Sequence, residues 1–186
     1  MQDEPPAKKM TVLTTDRLRL EPFAPVHFEA IHALNADPGV MRYITGRPET
    51  REETRQMFER VQARWKEWGY SWWAFVERST GEVVGCGPIQ HIERDARNPV
   101  EVGWRIRADR RRQGLALEAA TAMARFAFEQ VGVPELIAVC QQENTASEAV
   151  MRRLGMRLRG IEHWYEREVT TYAMSAQQWR QRAVAA

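Results

Sequence analysis

The six residues from Arg111 to Ala116 (Arg-Arg-Gln-Gly-Leu-Ala) lie where a predicted strand passes into a predicted helix. The first amide N–H groups of a helix lack internal partners, and the helix dipole places partial positive charge beside them. A loop that directs these amides at one point can bind a diphosphate, and Gly114 would let the backbone approach a phosphate oxygen closely. Arg111 and Arg112 could add charge-assisted hydrogen bonds. The segment therefore predicts a phosphate-binding loop, although a basic loop is also typical of a solvated connection.

Several other kinds of ligand are disfavoured by the sequence. Neither the Walker pattern nor the Rossmann glycine triplet occurs, which argues against ATP and NAD. The formal net charge of +2 is too small to predict nucleic-acid binding through a broad basic surface. Only Cys86 and Cys140 could supply thiolates, and His27 and His32 have no ligand partners at suitable spacing. We therefore expect neither a nucleic-acid partner nor a metal site.

The chain of 186 residues has the length of one ordinary domain. It contains no run approaching the ~18 apolar residues that a membrane span requires, so no membrane association is predicted. The polar beginning of the sequence, from Met1 to Lys9, lacks the apolar stretch of a signal peptide, and a cytoplasmic location is expected. We predict a flexible tail over residues 1–10 and a single domain over residues 11–186.

Hydrophobic periodicity and turn residues divide the chain into about seven strands and five helices. The predicted strands span residues 17–23, 72–77, 83–89, 100–106, 136–140, 158–163 and 168–174. The predicted helices span residues 27–35, 51–68, 114–130 and 144–154, with a short last helix around Trp179. The strand–helix–strand unit from 100 to 140 implies a parallel crossover. The fold class is therefore mixed α/β (α+β), a single mostly antiparallel sheet flanked by helices.

Two blocks of sequence resemble one known family. Arg111-x-x-Gly114-x-Ala116 resembles the acyl-CoA pyrophosphate signature of the GNAT N-acetyltransferase superfamily. A second block from Asn144 to Met156 (Asn-x-x-Ser-x-x-Val-x-x-x-Leu-Gly-Met) agrees at the expected distance downstream. The opening from Thr15 to Leu20 (Thr-x-Arg-Leu-x-Leu) is similar to the branch that includes the ribosomal-protein alanine acetyltransferases. The resemblance covers about residues 11–180, with one departure, because the family often has glycine where this chain has Arg112.

The resemblance implies a fold, a cosubstrate and a set of residues that bind it. The strands at 100–106 and 136–140 should splay apart, with the pantetheine of acetyl-CoA in the gap. The acceptor would be an amine, either a protein N-terminal amine or a small-molecule amine. The residues expected to bind acetyl-CoA are Val102, Trp104, Ile106, Arg111, Arg112, Gln113, Gly114, Leu115, Ala116, Asn144 and Ser147.

Direct transfer needs a base, an oxyanion donor and an acid. Glu101 is the candidate base, acting through a water molecule, although its carboxylate could instead pair with Arg105 on the same face of the strand. The backbone N–H of Val102 or Trp104 is the candidate oxyanion donor. Ser147 is the first candidate to protonate the departing thiolate, and Tyr165 is the second.

The acceptor site is expected between residues 41–47 and the loop 93–98, whose charges are mixed. Exposed edge strands near the C-terminus could support a homodimer. Two further hypotheses stay open at this stage. One is a catalytically silent acyl-CoA-binding module or sensor, and the other is a protein-interaction domain with no CoA site.

Overall fold

A computed structural model describes residues 10–184 of the protein. The predicted flexible tail falls almost entirely on residues 1–9, which lie outside the described residues. The assignment of residues 11–186 to a single domain stays a prediction. The described chain folds as a mixed α/β structure, with one sheet flanked by helices.

The sheet contains nine strands in the order β1-β2-β3-β4-β5-β7-β9-β8, with β6 paired to β4 beside this path. All strand pairs are antiparallel except β5 with β7. This confirms the predicted fold class. The strands are β1 (Leu13–Thr14), β2 (Leu18–Pro22), β3 (Trp72–Glu77), β4 (Val83–His91), β5 (Val100–Val102), β6 (Arg105–Ile106), β7 (Glu135–Cys140), β8 (Arg157–Trp164) and β9 (Arg167–Ser175).

Six α-helices accompany the sheet, and capping residues fix several of their ends. The third helix begins after Thr50, whose side chain and that of Glu53 form a capping box, and it ends at Gly69 with φ of 81°. The helices are α1 (Phe28–Asn35), α2 (Pro38–Met41), α3 (Arg51–Trp68), α4 (Leu115–Phe126), α5 (Thr145–Arg153) and α6 (Ala176–Val184). The predicted helix over 114–130 continues past α4 as one π-helical segment, Ala127–Val131.

The prediction of one continuous strand over residues 100–106 is wrong. Regular pairing with β4 is interrupted at Gly103 and Trp104, where only the Gly103 N–H donates to the Pro88 carbonyl at 3.2 Å, and it resumes in the same register as β6. The cause lies in β4, where Pro88 has no N–H to donate and a Cβ on Gly87 would come within 2.1 Å of the Gly103 carbonyl oxygen. This break and the short strand β1 raise the number of strands from about seven to nine.

The parallel pair β5 and β7 is short, as a splayed pair requires. Only two registers join the strands, Val100 with Leu136 and Glu101 with Ile137. Beyond these, β7 continues to Cys140 and pairs with β9 alone. Backbone groups beside the gap lack the strand partners that a longer ladder would provide. The prediction that these two strands splay is therefore confirmed.

Candidate active site

A buried carboxylate lies at the point where the parallel strands separate. Glu101 on β5 is only 6% exposed. Its Oε1 accepts hydrogen bonds from Gln90 Nε2 at 2.7 Å and from the Tyr165 hydroxyl. Burial raises the pKa of the Glu101 carboxyl, although the hydrogen bonds from Tyr165 and Gln90 oppose this. A carboxyl group with a raised pKa beside a gap in the sheet is suited to general-base chemistry.

The alternative role for Glu101, an ion pair with Arg105, is wrong. The Arg105 guanidinium donates to Asn35 Oδ1 at 2.6 Å and lies over the Trp72 ring, 4.9 Å from its centroid. Glu101 pairs with Gln90 and Arg105 with Cys86, so the register with β4 is kept, but the Arg105 side chain binds Asn35 and Trp72 rather than Glu101. No arginine or lysine among residues 10–184 forms an ion pair with Glu101.

Gln90 fixes the Glu101 carboxylate in place and was missed by the sequence analysis. Its Oε1 accepts from Trp72 Nε1 at 3.0 Å and from Arg64 Nη1 at 3.2 Å, which leaves its Nε2 to donate to Glu101. Gln90 is 4% exposed on the otherwise apolar strand β4. A polar side chain within an apolar strand was the only signal that the sequence offered for it.

Tyr165 reaches Glu101 from the tight turn between β8 and β9. Both central residues of this turn are left-handed, Tyr165 with φ of 54° and Glu166 with φ of 60°. Such turns usually carry asparagine or glycine, because other side chains are strained there. The Tyr165 N–H donates to Glu93 Oε1 at 2.7 Å. Burial and the neighbouring Glu101 raise the pKa of Tyr165, so its hydroxyl stays protonated and donates to the carboxylate.

The helix α5 presents Asn144 and Ser147 at its beginning. Asn144 caps the helix, because its Oδ1 accepts from the Ser147 N–H at 3.2 Å. The hydroxyl of Ser147 forms no hydrogen bond with any residue that the structure describes. The serine hydroxyl is thus available to a ligand.

The predicted phosphate loop contains two residues in the left-handed conformation, one of which is not a glycine. Gly114 caps the beginning of α4 with φ of 79° and is exposed, as are the three residues before it. Leu115 is buried and anchors the first turn. Arg112 has φ of 60°, a conformation that glycine adopts without steric cost. At position 112, where members of the family often have glycine, the backbone of this chain therefore has a conformation that favours glycine.

We predict that Arg112→Gly yields a more stable protein than Arg112→Ala, by about 1 kcal/mol, because alanine keeps the left-handed strain. Chemical denaturation of the two variants measures the difference. Arg125, exposed within α4, is the matched control. There alanine should be the more stable by about 1 kcal/mol, because glycine weakens a helix interior. The same order of stability at both positions would contradict the left-handed conformation of Arg112.

The motif that begins at Thr15 stabilises the loop before α4 through hydrogen bonds. Thr15 Oγ1 donates to Glu118 Oε1 at 2.6 Å, and Arg17 donates to the same carboxylate through its backbone N–H at 2.8 Å and its Nε at 2.6 Å. Arg17 Nη1 also donates to the carbonyl of Gln113 at 2.8 Å. These contacts tie the first turn of α4 and the loop before it to the turn that precedes β2. The sequence analysis noted the motif but missed this role.

The two segments expected to line the acceptor site lie near the described cluster. In the first, the carbonyl of Tyr43 accepts from Gln141 Nε2 at 3.2 Å, which places residues 41–47 beside the end of β7. The second is joined to Tyr165 through Glu93. Within these segments, Arg47 pairs with Glu53 and Asp95 pairs with Arg97.

Comparison with known proteins decides the family. The acetyltransferase (GNAT) domain matches residues 17–157, which is most of the chain. The chain belongs to the GNAT acetyltransferase family. Members of the GNAT family use acetyl-CoA, so the protein is an acetyl-CoA-dependent acyltransferase. The resemblance stated from the two sequence blocks is therefore confirmed at the level of the family.

Individual GNAT relatives agree in sequence and in fold. An FsC-acetyl coenzyme A-N(2)-transacetylase from Aspergillus fumigatus is 34% identical over 161 residues, covering 80% of this chain and 66% of its own. An acetyltransferase structure from Agrobacterium tumefaciens has a TM-score of 0.79 and 28% identity, covering 92% of this chain and 98% of its own. RimL, a ribosomal-protein α-N-acetyltransferase solved with coenzyme A bound, shares the fold, with a TM-score of 0.74 and 19% identity over 90% of this chain and 99% of its own.

Other reactive groups of the GNAT domain are poorly suited to chemistry. Burial raises the pKa of the Cys140 thiol to about 11, so it is not a thiolate near neutral pH.

Within the described range 10–184, no group of three or more His, Cys, Asp or Glu side chains is arranged to hold a metal ion. In the same range no helix is long and apolar enough to cross a membrane.

Proposed function

We propose that the protein transfers the acetyl group of acetyl-CoA to a primary amine by direct attack in a ternary complex. The observation that carries this proposal is the buried carboxyl of Glu101, held by Gln90 and Tyr165 where β5 and β7 part. The acceptor is either a protein N-terminal amine or a small-molecule amine. The similarity to RimL, a ribosomal-protein α-N-acetyltransferase, supports the first class.

In this proposal acetyl-CoA lies along the gap between β5 and β7. Its pyrophosphate accepts hydrogen bonds from the loop before α4, where Gly114 allows close approach and the helix dipole is favourable. Its pantetheine pairs with backbone at Val102, Trp104 and Ile106 and with the Asn144 amide, whose Nδ2 the helix cap leaves unused. The loop residues assigned to the pyrophosphate are Arg111, Arg112, Gln113, Gly114, Leu115 and Ala116.

The chemistry begins with loss of a proton from the acceptor, since an alkylammonium with a pKa of ~10 is not a nucleophile near neutral pH. Glu101 takes this proton through a water molecule. The amine nitrogen then bonds to the thioester carbon, and the backbone N–H of Val102 or Trp104 stabilises the oxygen as it gains charge. The C–S bond breaks, and the CoA thiolate takes a proton from an acid that recovers one from the amine nitrogen, so that the acetylated nitrogen is left as a neutral amide. Ser147 is the favoured acid, because the Tyr165 hydroxyl already donates to Glu101.

Loss of the contacts between Arg17 and the loop should weaken acetyl-CoA binding specifically. We predict that Arg17→Gln raises the KM for acetyl-CoA by about fivefold and leaves kcat within about twofold. The estimate is modest because the Arg17 side chain is half exposed and solvent screens its ion pair. Steady-state kinetics measures both constants. Arg17→Lys should recover part of the loss, and Arg19→Gln, a change to the next arginine on β2, should have no effect. Equal effects of the changes at 17 and 19 would contradict the role of Arg17.

Calorimetric titration with acetyl-CoA, followed by a thiol-release screen over a broad set of amines, tests the proposed function. Binding together with amine-dependent release of CoA supports it. Binding with no release for any amine would favour a silent acyl-CoA-binding module. Absence of binding would contradict both.

Two further proposals concern the surroundings of the enzyme. A cytoplasmic location is consistent with the lack of a membrane-spanning helix within residues 10–184. A homodimer could form through β8, which is an edge of the sheet and exposes Leu158 and Ile161. Both stay predictions, which fractionation of cells and sedimentation of the purified protein would test.

A further inference from the structure

Three arginines lie around the carboxylate cluster, and none of them forms an ion pair with the residues that the structure describes. Arg105 is held by Asn35. Arg64 donates to Gln90 at 3.2 Å and lies over Trp68, with 5.7 Å to the ring centroid. Arg94 lies over Tyr165, with 6.0 Å to the ring centroid. Neither Arg64 nor Arg94 takes part in an ion pair with any of the residues described.

The guanidinium groups of Arg64 and Arg94 both act on the carboxylate cluster around Glu101. Arg64 and Arg94 both influence the Glu101 carboxyl electrostatically, and Arg94 lowers the pKa of Arg64 by like-charge repulsion. Burial is the larger cause of that lowering, which shows that Arg64 has lost part of its hydration. Glu67 on α3 partly offsets the repulsion. Two neighbouring cations near a reactive carboxylate raise the affinity of the site for an anion.

The backbone on this side is held in an unusual conformation. Glu93 and Arg94 are left-handed, with φ of 54° and 63°, and they face the left-handed turn at Tyr165 and Glu166. The hydrogen bond from the Tyr165 N–H to Glu93 joins the two strained turns. Strained residues persist where the surrounding structure over-determines them, which is typical of functional sites. This arrangement places the Arg94 guanidinium above Tyr165, and hence beside Glu101.

We infer that the acceptor carries an anionic group close to its reactive amine, and that Arg64 and Arg94 bind this group while Glu101 receives the proton. The inference rests on the proposed function and narrows its substrate class. Guanidinium groups bind carboxylates through paired N–H donors, so a carboxylate is the favoured anion. Trp68 and Tyr165 provide aromatic surface beside the two cations.

Two sources could supply a carboxylate beside an amine, and matched pairs of acceptors distinguish them. The first pair is phenylalanine and phenylalaninamide, which differ in the α-carboxylate. The second pair is the peptides Ala-Glu-Ala-amide and Ala-Gln-Ala-amide, which differ in an acidic side chain at the second position. Acetyl-CoA-dependent thiol release is measured for all four, together with neutral and cationic simple amines. We expect kcat/KM to favour the anionic member by roughly tenfold or more in at least one pair.

Variants of the two arginines connect this preference to the structure. Arg64→Gln and Arg94→Gln should each lower kcat/KM for the preferred anionic acceptor by roughly tenfold more than for its neutral partner, whose own change reports the effect of each arginine on Glu101. Arg55→Gln on the same helix, an exposed arginine that pairs with Glu52 and Glu59, is the control and should leave the preference intact. Binding of acetyl-CoA should stay the same in all three variants.

The outcomes separate the inference from the proposed function. Thiol release with neutral or cationic amines alone would overturn the inference and leave the proposed function standing. The same holds if the arginine variants weaken both members of a pair equally. Release with no amine, despite acetyl-CoA binding, would overturn both.

Discussion

Replacing Gly114 by aspartate is expected to weaken acetyl-CoA binding at least ~100-fold while leaving the fold intact. The new carboxylate would lie at the beginning of α4, where the pyrophosphate is proposed to bind, and like charges about 4 Å apart cost about 4 kcal/mol near a protein surface. A Cβ at this position would lie 3.4 Å from Arg17 Nη2, so the aspartate could also pair with that arginine. Calorimetric titration of wild type and variant with acetyl-CoA measures the effect.

Gly114→Asn separates charge from shape in this experiment. Asparagine and aspartate have similar volumes, and both tolerate the left-handed region better than most residues. The asparagine variant should therefore lose only a few-fold in affinity. Equal losses in the two variants would assign the effect to backbone geometry. Unchanged affinity in the aspartate variant would place the pyrophosphate elsewhere.

Replacing Glu101 by glutamine should lower kcat by roughly 10²- to 10⁴-fold, the usual contribution of a general base. The glutamine oxygen can still accept from Gln90 and Tyr165, so the affinity for acetyl-CoA should be retained. Steady-state kinetics at saturating amine, together with titration of acetyl-CoA, measures the two quantities. Unchanged turnover across the pH range would remove Glu101 from the mechanism.

The raised pKa of Glu101 predicts an effect of pH on both activity and stability. The base is active when ionised, so wild-type kcat/KM should fall as pH falls through this raised pKa, and Glu101→Gln should lack that limb. Tyr165→Phe removes a hydrogen bond that favours the ionised form and should move the limb to higher pH.

The stability of the fold should change in the same pH window. Because the folded pKa of Glu101 lies above its unfolded value, ionisation costs stability as pH rises through the folded pKa. Glu101→Gln should therefore be more stable than wild type above that pKa. The difference should diminish as pH falls from that pKa towards the unfolded pKa of about 4.3, below which it is lost. Denaturation curves across pH measure it, and a variant less stable at neutral pH would contradict the sign.

Local signals in the sequence predicted those parts of the fold that depend on local interactions. The bounds of α3 follow from the capping box at Thr50 and the stop at Gly69, and both appear in the structure. The break between β5 and β6 was not predictable in the same way. Apolar alternation continues through Gly103, whereas the interruption comes from contact with Gly87 and Pro88 on another strand.

The candidate site shows the same division between local and distant causes. The placement of Glu101 at the end of the paired region follows from strand order. Its partners do not, because Gln90 and Tyr165 come from other strands, and the expected partner Arg105 binds Asn35, which is 70 residues away. Side-chain pairing across such separations depends on packing that no single segment encodes.

The tie between Arg17 and Glu118 joins residues 101 positions apart, and this has a consequence for the order of folding. Closing so large a loop costs chain entropy before any contact compensates for it, and such contacts are expected to form late. During synthesis, Arg17 leaves the ribosome long before its acidic partner exists. We therefore expect the loop at Gly114 to reach its final shape only after the first strands have joined the sheet, so that coenzyme binding would report completion of folding.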